Sequence, residues 1–308
     1  MRLLPFLLLL LPLQLLSVRV LFAQQPSAPA ETADAIMARV AANHDRAEAE
    51  RGRFVYVQHA TVTSHKGKQV MCEERTDSRI TPTAEGSTQQ LLKVDGKLFV
   101  KHRFVPYDHL PDSKDQKGST VESDRKGLNV TVDDDDTMDR DLVENMRQNL
   151  VNNKSRDGIS DKLFPLSAKA LPEYRFHLIG VETMNRRTVF HITFVPVDKD
   201  DFGWKGDAYI DTTAYEPVLV RTAMAKKVPF AVRTLMGTNV PGLGFTIIYA
   251  PEPNDKPGSV WFPVSFGTEF KLHVLFFLSR TITINAENRA FEKTHVTSKI
   301  LPAGDAAP

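Results

Sequence analysis

Apolar positions along the chain follow three rhythms in turn, and each predicts a different kind of segment. The first is continuous: Met1 and Arg2 lead into a leucine-dense stretch, Leu7 to Leu16, which runs on to Phe22, Ala23, Gln24 and Gln25. Charge, apolar core and small residue in that order predict a secretory signal peptide over 1–23, cleaved after Ala23. A membrane span needs about 20 unbroken apolar residues, and Gln14 and Arg19 interrupt this one. The polar, proline-bearing segment 24–30 is expected to be a disordered spacer.

The second rhythm is helical. From Thr32 the positions Ile36, Met37, Val40, Ala41 and His44 recur at three and four residues, with Thr32 as N-cap and Gly52 as stop. A second such stripe, Leu142, Val143, Met146 and Leu150, predicts a helix over Thr137–Asn152. Each helix has one apolar face, so each must dock on something.

The third rhythm has period two. Phe54 to Val62 and Gln69 to Ile80 read as strands around a turn at His65–Lys68, and Gln89–Val94 and Lys97–Phe104 as a hairpin turning at Asp95-Gly96. Residues 106–135, with Pro106, Pro111, Gly118 and Gly127, read as loop. From Glu173 to Ile300 the chain is almost continuously strand-like: Tyr174–Val181, Thr188–Val195, Lys205–Asp211, Val218–Val228, Phe245–Tyr249, Ser259–Phe266 and Glu269–Asn285. Even positions from Val260 to Leu278 stay apolar with one exception, which implies either a turn near Gly267 or long curved strands with one deep apolar face. The arrangement is an α+β fold dominated by antiparallel strands, and no internal repeat is visible.

Charge narrows the partners. Formal net charge is +1, from 39 Lys and Arg against 38 Asp and Glu, spread without a basic stripe, so nucleic acid is not an expected partner. The one cysteine, Cys72, makes no intramolecular disulfide and follows the signal too distantly to accept lipid. It reads as a strand residue.

Motifs for chemistry are sparse. No G-x-S-x-G, H-E-x-x-H, C-x-x-C or Walker sequence occurs, and the loop Gly237–Gly244 lacks the Lys-Ser/Thr of a phosphate cradle. The run Asp133–Asp136 lacks the glycine and terminal glutamate of a calcium loop and reads as a solvated approach to the second helix. His59 with His65 and His102 with His109 have no metal-ligand spacing; the Asn129 and Asn153 N-x-S/T matches bear only on a eukaryotic source. No catalytic residue, metal or cofactor is expected, and the chain is not expected to be an enzyme. What stands out is the 18 phenylalanines, many at alternating strand positions. They read either as plain core or as the lining of an apolar cavity that two lid helices fill or uncover.

Certain residues carry a family resemblance. The signal peptide, the helix directly after it, and the strands ending in Asp207-Ala208-Tyr209-Ile210-Asp211-Thr212-Thr213-Ala214-Tyr215-Glu216-Pro217-Val218 resemble the LolA/LolB-like superfamily of periplasmic lipoprotein carriers, as do Phe194-Val195-Pro196 and Trp261-Phe262-Pro263-Val264. The likeness covers Glu173–Ile300 best. It implies one domain over 31–301 with an insertion at about 106–170, followed by a disordered tail at 302–308. It also implies a curved antiparallel sheet, a half-open barrel, with helices packed on the concave face over an apolar cavity.

Candidate lining residues are Phe190, Ile192, Phe194, Val218, Val220, Phe262, Val264, Phe266, Phe270 and Leu272. The implied function is lipid or lipoprotein binding in the periplasm, in outer-membrane lipoprotein sorting or envelope maintenance, with acyl chains as ligands and transient membrane contact. The same architecture serves RseB/MucB-like regulators. A regulator or scaffold that binds an envelope protein without a small ligand is therefore the alternative, and an envelope hydrolase a third class.

Overall fold

The protein is described by a computed structural model covering residues 31–83, 86–110, 119–121, 130–132, 137–152, 166–198, 204–225, 238–239, 244–252, 259–274 and 278–294. The segments expected to be signal peptide (1–23), spacer (24–30) and tail (302–308) lie outside the described residues, as do the acidic run Asp133–Asp136, Asn129, Asn153 and the end of the strand expected to reach Val228.

Helix α1 spans Ala33–Arg51, and Thr32 caps it by accepting a hydrogen bond from the Ala35 amide. Four strands follow: β1 Phe54–Lys66, β2 Gln69–Thr83, β3 Gly86–Val100 and β4 Arg103–Tyr107. Two short strands, β5 Ser119–Val121 and β6 Val130–Val132, pair with each other inside the stretch expected to be loop; all their residues but Ser119 are β-branched. Helix α2 is Met138–Asn152. After a single 3-10 turn at Leu171–Glu173 come β7 Tyr174–Met184, β8 Arg187–Pro196, β9 Trp204–Asp211, β10 Pro217–Met224, β11 Thr238–Asn239, β12 Phe245–Glu252, β13 Val260–Val274 and β14 Leu278–Lys293.

All large strands join one antiparallel sheet in the order β4-β3-β2-β1-β14-β13-β12-β10-β9-β8-β7, with β11 added on β13. The last strand pairs with the first, which welds an N-terminal meander to a C-terminal one. The sheet does not close, because β4 and β7 end it. Register irregularities at Val55/Val57, Asp77/Ser78, Leu178/Gly180 and Ile248/Tyr249 add twist, and bulges of this kind bend long strands into a curved sheet.

One expected turn is displaced, and one open alternative is decided. Asp95-Gly96 lies inside continuous β3, and the reversal comes at Lys101-His102, which adopt φ of 48° and 68° as a two-residue hairpin turn requires. Gly96 serves a different purpose: a Cβ there would fall 2.1 Å from the Tyr107 ring, so its missing side chain makes room for that ring. Gly267 likewise carries no turn. β13 runs straight through it, and the long-strand alternative is the one observed.

Candidate functional site

Cross-strand register assembles one inward row across almost the whole sheet. Leu178, Ile192, Ala208, Val220, Ile247, Phe266, Ala286, Ala60, Thr76 and Val94 follow one another as directly opposed partners from β7 to β3. All are buried except the half-buried Leu178 and Phe266, and all but Thr76 are apolar. Period-two alternation on each strand puts these residues on one face, and that face is the one both helices cover.

Under α1 lies the larger core. Ile36, Met37 and Val40 of the helix pack with Ile192, Phe194, Val218 and Val220, and Phe190 is half-buried against the same group. Each such side chain contributes about 2 kcal/mol relative to exposure. Under α2 lies a second core, in which Leu142, Val143 and Met146 meet Phe270 and Leu272. Phe266 packs against both cores.

Eight of the ten predicted lining residues are thus brought onto one face but shared between two helix-covered halves. Two stand apart. Phe262 packs edge-on against Phe54 and beside Phe291, with ring centres 5.0 and 4.4 Å away, and Val264 is half-buried at the β12–β13 irregularity. In this state the chain's own side chains occupy the face. An open depression of about 350 Å³ exists instead at the ends of β8 to β10, where Phe194 is the one predicted residue on its wall.

The two helices are held by different chemistry. α1 grips the β9–β10 turn: Asn43 donates to the carbonyls of Ala214 and Tyr215 at 2.8 and 3.2 Å, and the Arg39 guanidinium lies over the Tyr215 ring. Asp211 builds that turn by accepting from the amides of Thr213 and Ala214, and Arg187 pairs with its other oxygen. Arg51, fully buried at the helix end, donates to the Trp261 carbonyl at 3.1 Å. Beside it, burial pushes the Glu216 carboxyl up to about 7, against the pull of Arg51 and Arg46.

α2 turns charged residues toward the sheet. Asp139 accepts from Arg280 of β14 and from Ser64 of β1, while Arg147 pairs with Glu144 on its own helix and at 3.2 Å with Glu74 of β2. Tyr107 donates to Glu74 at 3.1 Å and touches Cys72. Burial and the nearby Glu144 raise the Glu74 carboxyl, and burial pushes the Cys72 thiol up to about 12, which leaves it inert. Among the described residues no group of His, Cys, Asp and Glu is arranged to hold a metal ion.

No family model matches the chain, and no curated protein does. Solved structures do. The chain is similar to a putative outer membrane lipoprotein-sorting protein domain from Vibrio parahaemolyticus, with 11% identity and a TM-score of 0.38 over 85% of this chain and 94% of that one. It is also similar to a LolA superfamily protein from Nitrosomonas europaea, with 11% identity and a TM-score of 0.33 over 86% and 94%. A third likeness is to the MucA/MucB complex of Pseudomonas aeruginosa, with 10% identity and a TM-score of 0.21 over 83% and 94%.

Sequence reasoning missed the polar fastenings of α2. The signal was present: Arg280 shares the inward face of its strand with Ile282 and Ile284, and Glu74 shares its own with Cys72 and Thr76. A charge on an inward strand position needs a partner, and the partner had to come from a covering element.

Proposed function

We propose that this chain is an exported, non-enzymatic lipid- or lipoprotein-binding protein of the periplasm, acting in outer-membrane lipoprotein sorting or envelope maintenance. The observation that carries this reading is the inward row from Leu178 to Val94, apolar but for Thr76, continuous through Phe266 and covered chiefly by α1 and α2, with Leu166, Leu171 and Tyr107 beside them. A lipid's acyl chain takes the place of helix side chains on that face, each buried methylene contributing about 0.8 kcal/mol. The order of elements that resembles the LolA/LolB-like carriers agrees with it.

The cover that moves is α2. Its inner side mixes Leu142, Val143 and Met146 with Asp139, Glu144 and Arg147, so it adheres less by apolar burial than α1 does. Its ion pairs are directional and either made or broken. α1, by contrast, passes directly into β1 through Gly52 and Arg53.

Protein purified under native conditions and extracted with solvent tests the reading. Bound acyl species by mass spectrometry, or saturable uptake of a fluorescent fatty acid, is the expected result, and absence of both sinks it. Partner binding without a small ligand is the second reading. It is favoured by the two open sheet edges, where Phe104 and Val105 of β4 and Ile179 and Val181 of β7 are exposed.

A further inference from the structure

We infer that Arg280 and Ser64 form the headgroup site for an anionic amphiphile, and that Asp139 of α2 occupies this site as a built-in substitute for the headgroup. This rests on the acyl-binding reading above and names its ligand class. The Arg280 fork presents Nε and Nη2 to the two oxygens of one carboxylate, at 2.7 and 2.9 Å. Ser64 adds a third donor at 2.6 Å to the oxygen that already accepts from Nε. All three residues are buried, and Nη1 of Arg280 is turned away to the Ser279 carbonyl. Two parallel guanidinium hydrogen bonds and a hydroxyl suit a carboxylate or a phosphate equally well.

The surroundings set the rest of the ligand. Arg280 lies opposite Leu272 and Ser64 opposite Ile282, so the donors stand at one end of an apolar lane. The lane continues along β14 through Ile282, Ile284 and Ala286 to Phe266, roughly 20 Å at the rise of an extended strand. When α2 lifts, Asp139 leaves with it and Arg280 stays on the sheet, a cation without its anion at the end of an apolar lane. A neutral lipid leaves that charge unpaired; an anionic one replaces the lost carboxylate and lays its chain along the lane. Charge complementarity thus makes the ligand's headgroup and closure of α2 alternatives for the same fork.

The test titrates the mature chain with parinaric acid and with its methyl ester, which share a chain and differ in head charge, and repeats both with acetate or inorganic phosphate added. The expected result is an acid-over-ester preference of about tenfold or more in the wild type. Arg280→Gln removes that preference and leaves ester binding in place, Asp139→Asn tightens the acid, and Ser64→Ala weakens it. Where Arg280→Gln alone does not fold, the Asp139→Asn/Arg280→Gln pair leaves no lone charge and is read the same way. Equal binding of acid and ester, or a preference that survives Arg280→Gln, overturns the headgroup site while the carrier reading stands. Complete displacement of the acid by acetate or phosphate overturns it in favour of a free-anion site. Binding of neither probe removes the carrier reading and this inference together.

Discussion

Arg280 of β14 holds Asp139 of α2 through two parallel hydrogen bonds, Nε to Oδ1 at 2.7 Å and Nη2 to Oδ2 at 2.9 Å, with both side chains buried. Removing one member of such a pair strands a charge in a site that water does not reach, which costs about 3–5 kcal/mol. Asp139→Ala therefore lowers stability by that amount in urea unfolding, and amide exchange in α2 speeds up more than in α1. Replacing both residues by leucine recovers most of the loss, because the desolvated charge is gone. Equal destabilisation by the single and double changes contradicts this account of the fastening.

The second prediction concerns pH. Glu216 is raised from 4.5 to about 7, so between those values the folded protein binds more protons than the unfolded chain. Stability then falls as pH rises through this window, and the cost is fully present above about pH 7, on the order of 3 kcal/mol. Glu216→Gln flattens the dependence and is more stable than the wild type at pH 8 (about two to three kcal/mol), with little difference at pH 4. Thermal melts across that range check both the sign and the window.

The β7–β8 turn offers a gain. Asn185 and Arg186 adopt φ of 49° and 66°, a conformation that costs an ordinary L-residue energy and glycine none. Arg186 is exposed. Arg186→Gly is expected to stabilise the protein by about 0.5–1 kcal/mol in denaturant titration.

Gly96→Ala tests a position misread from sequence. The new Cβ would meet the Tyr107 ring at 2.1 Å, so the ring must leave and Glu74 loses its phenol donor. The expected cost is about 2 kcal/mol, combining the displaced ring with an undersatisfied buried carboxyl. A variant as stable as the wild type contradicts the packing described.

Phe266→Asp and Ser265→Asp separate the two faces of one strand. Phe266 joins both cores, whereas Ser265 pairs with the exposed Ile248 on the opposite side. The first change puts a charge on the face proposed to bind acyl chains and is expected to abolish fatty-acid uptake; the second is expected to leave it unchanged. Uptake that survives Phe266→Asp in a folded protein rules out this face as the ligand's location.

Much of the fold was legible because it rests on local rules. The Ile36, Met37, Val40 spacing with Thr32 ahead of it set α1 almost to the residue, and strict alternation located most of the large strands. Local rules fail where two signals compete for one event. Asp95-Gly96 carries the stronger turn composition, yet the hairpin closes at Lys101-His102 because Tyr107 must cross Gly96 for β3 and β4 to pair.

The site was legible only in part, since an apolar strand position reveals which side it faces but not what covers it. Ile192 and Leu272 were expected to line one cavity, and they lie under different helices. Phe262 left the set because a bulge near Val264 shifts the alternation of β13, and a bulge has no reliable signature in composition. Arg280 and Asp139 are 141 positions apart, and only the packing of α2 on β14 makes them a pair.

Photolabelling with a diazirine-bearing long-chain fatty acid, followed by peptide mapping of the cross-link, tests the central claim most directly. The account predicts label on the inward residues of β13 and β14 and on α2, competed away by unlabelled fatty acid. Label confined to the exposed edge residues of β4 and β7, or no competable label at all, would contradict it.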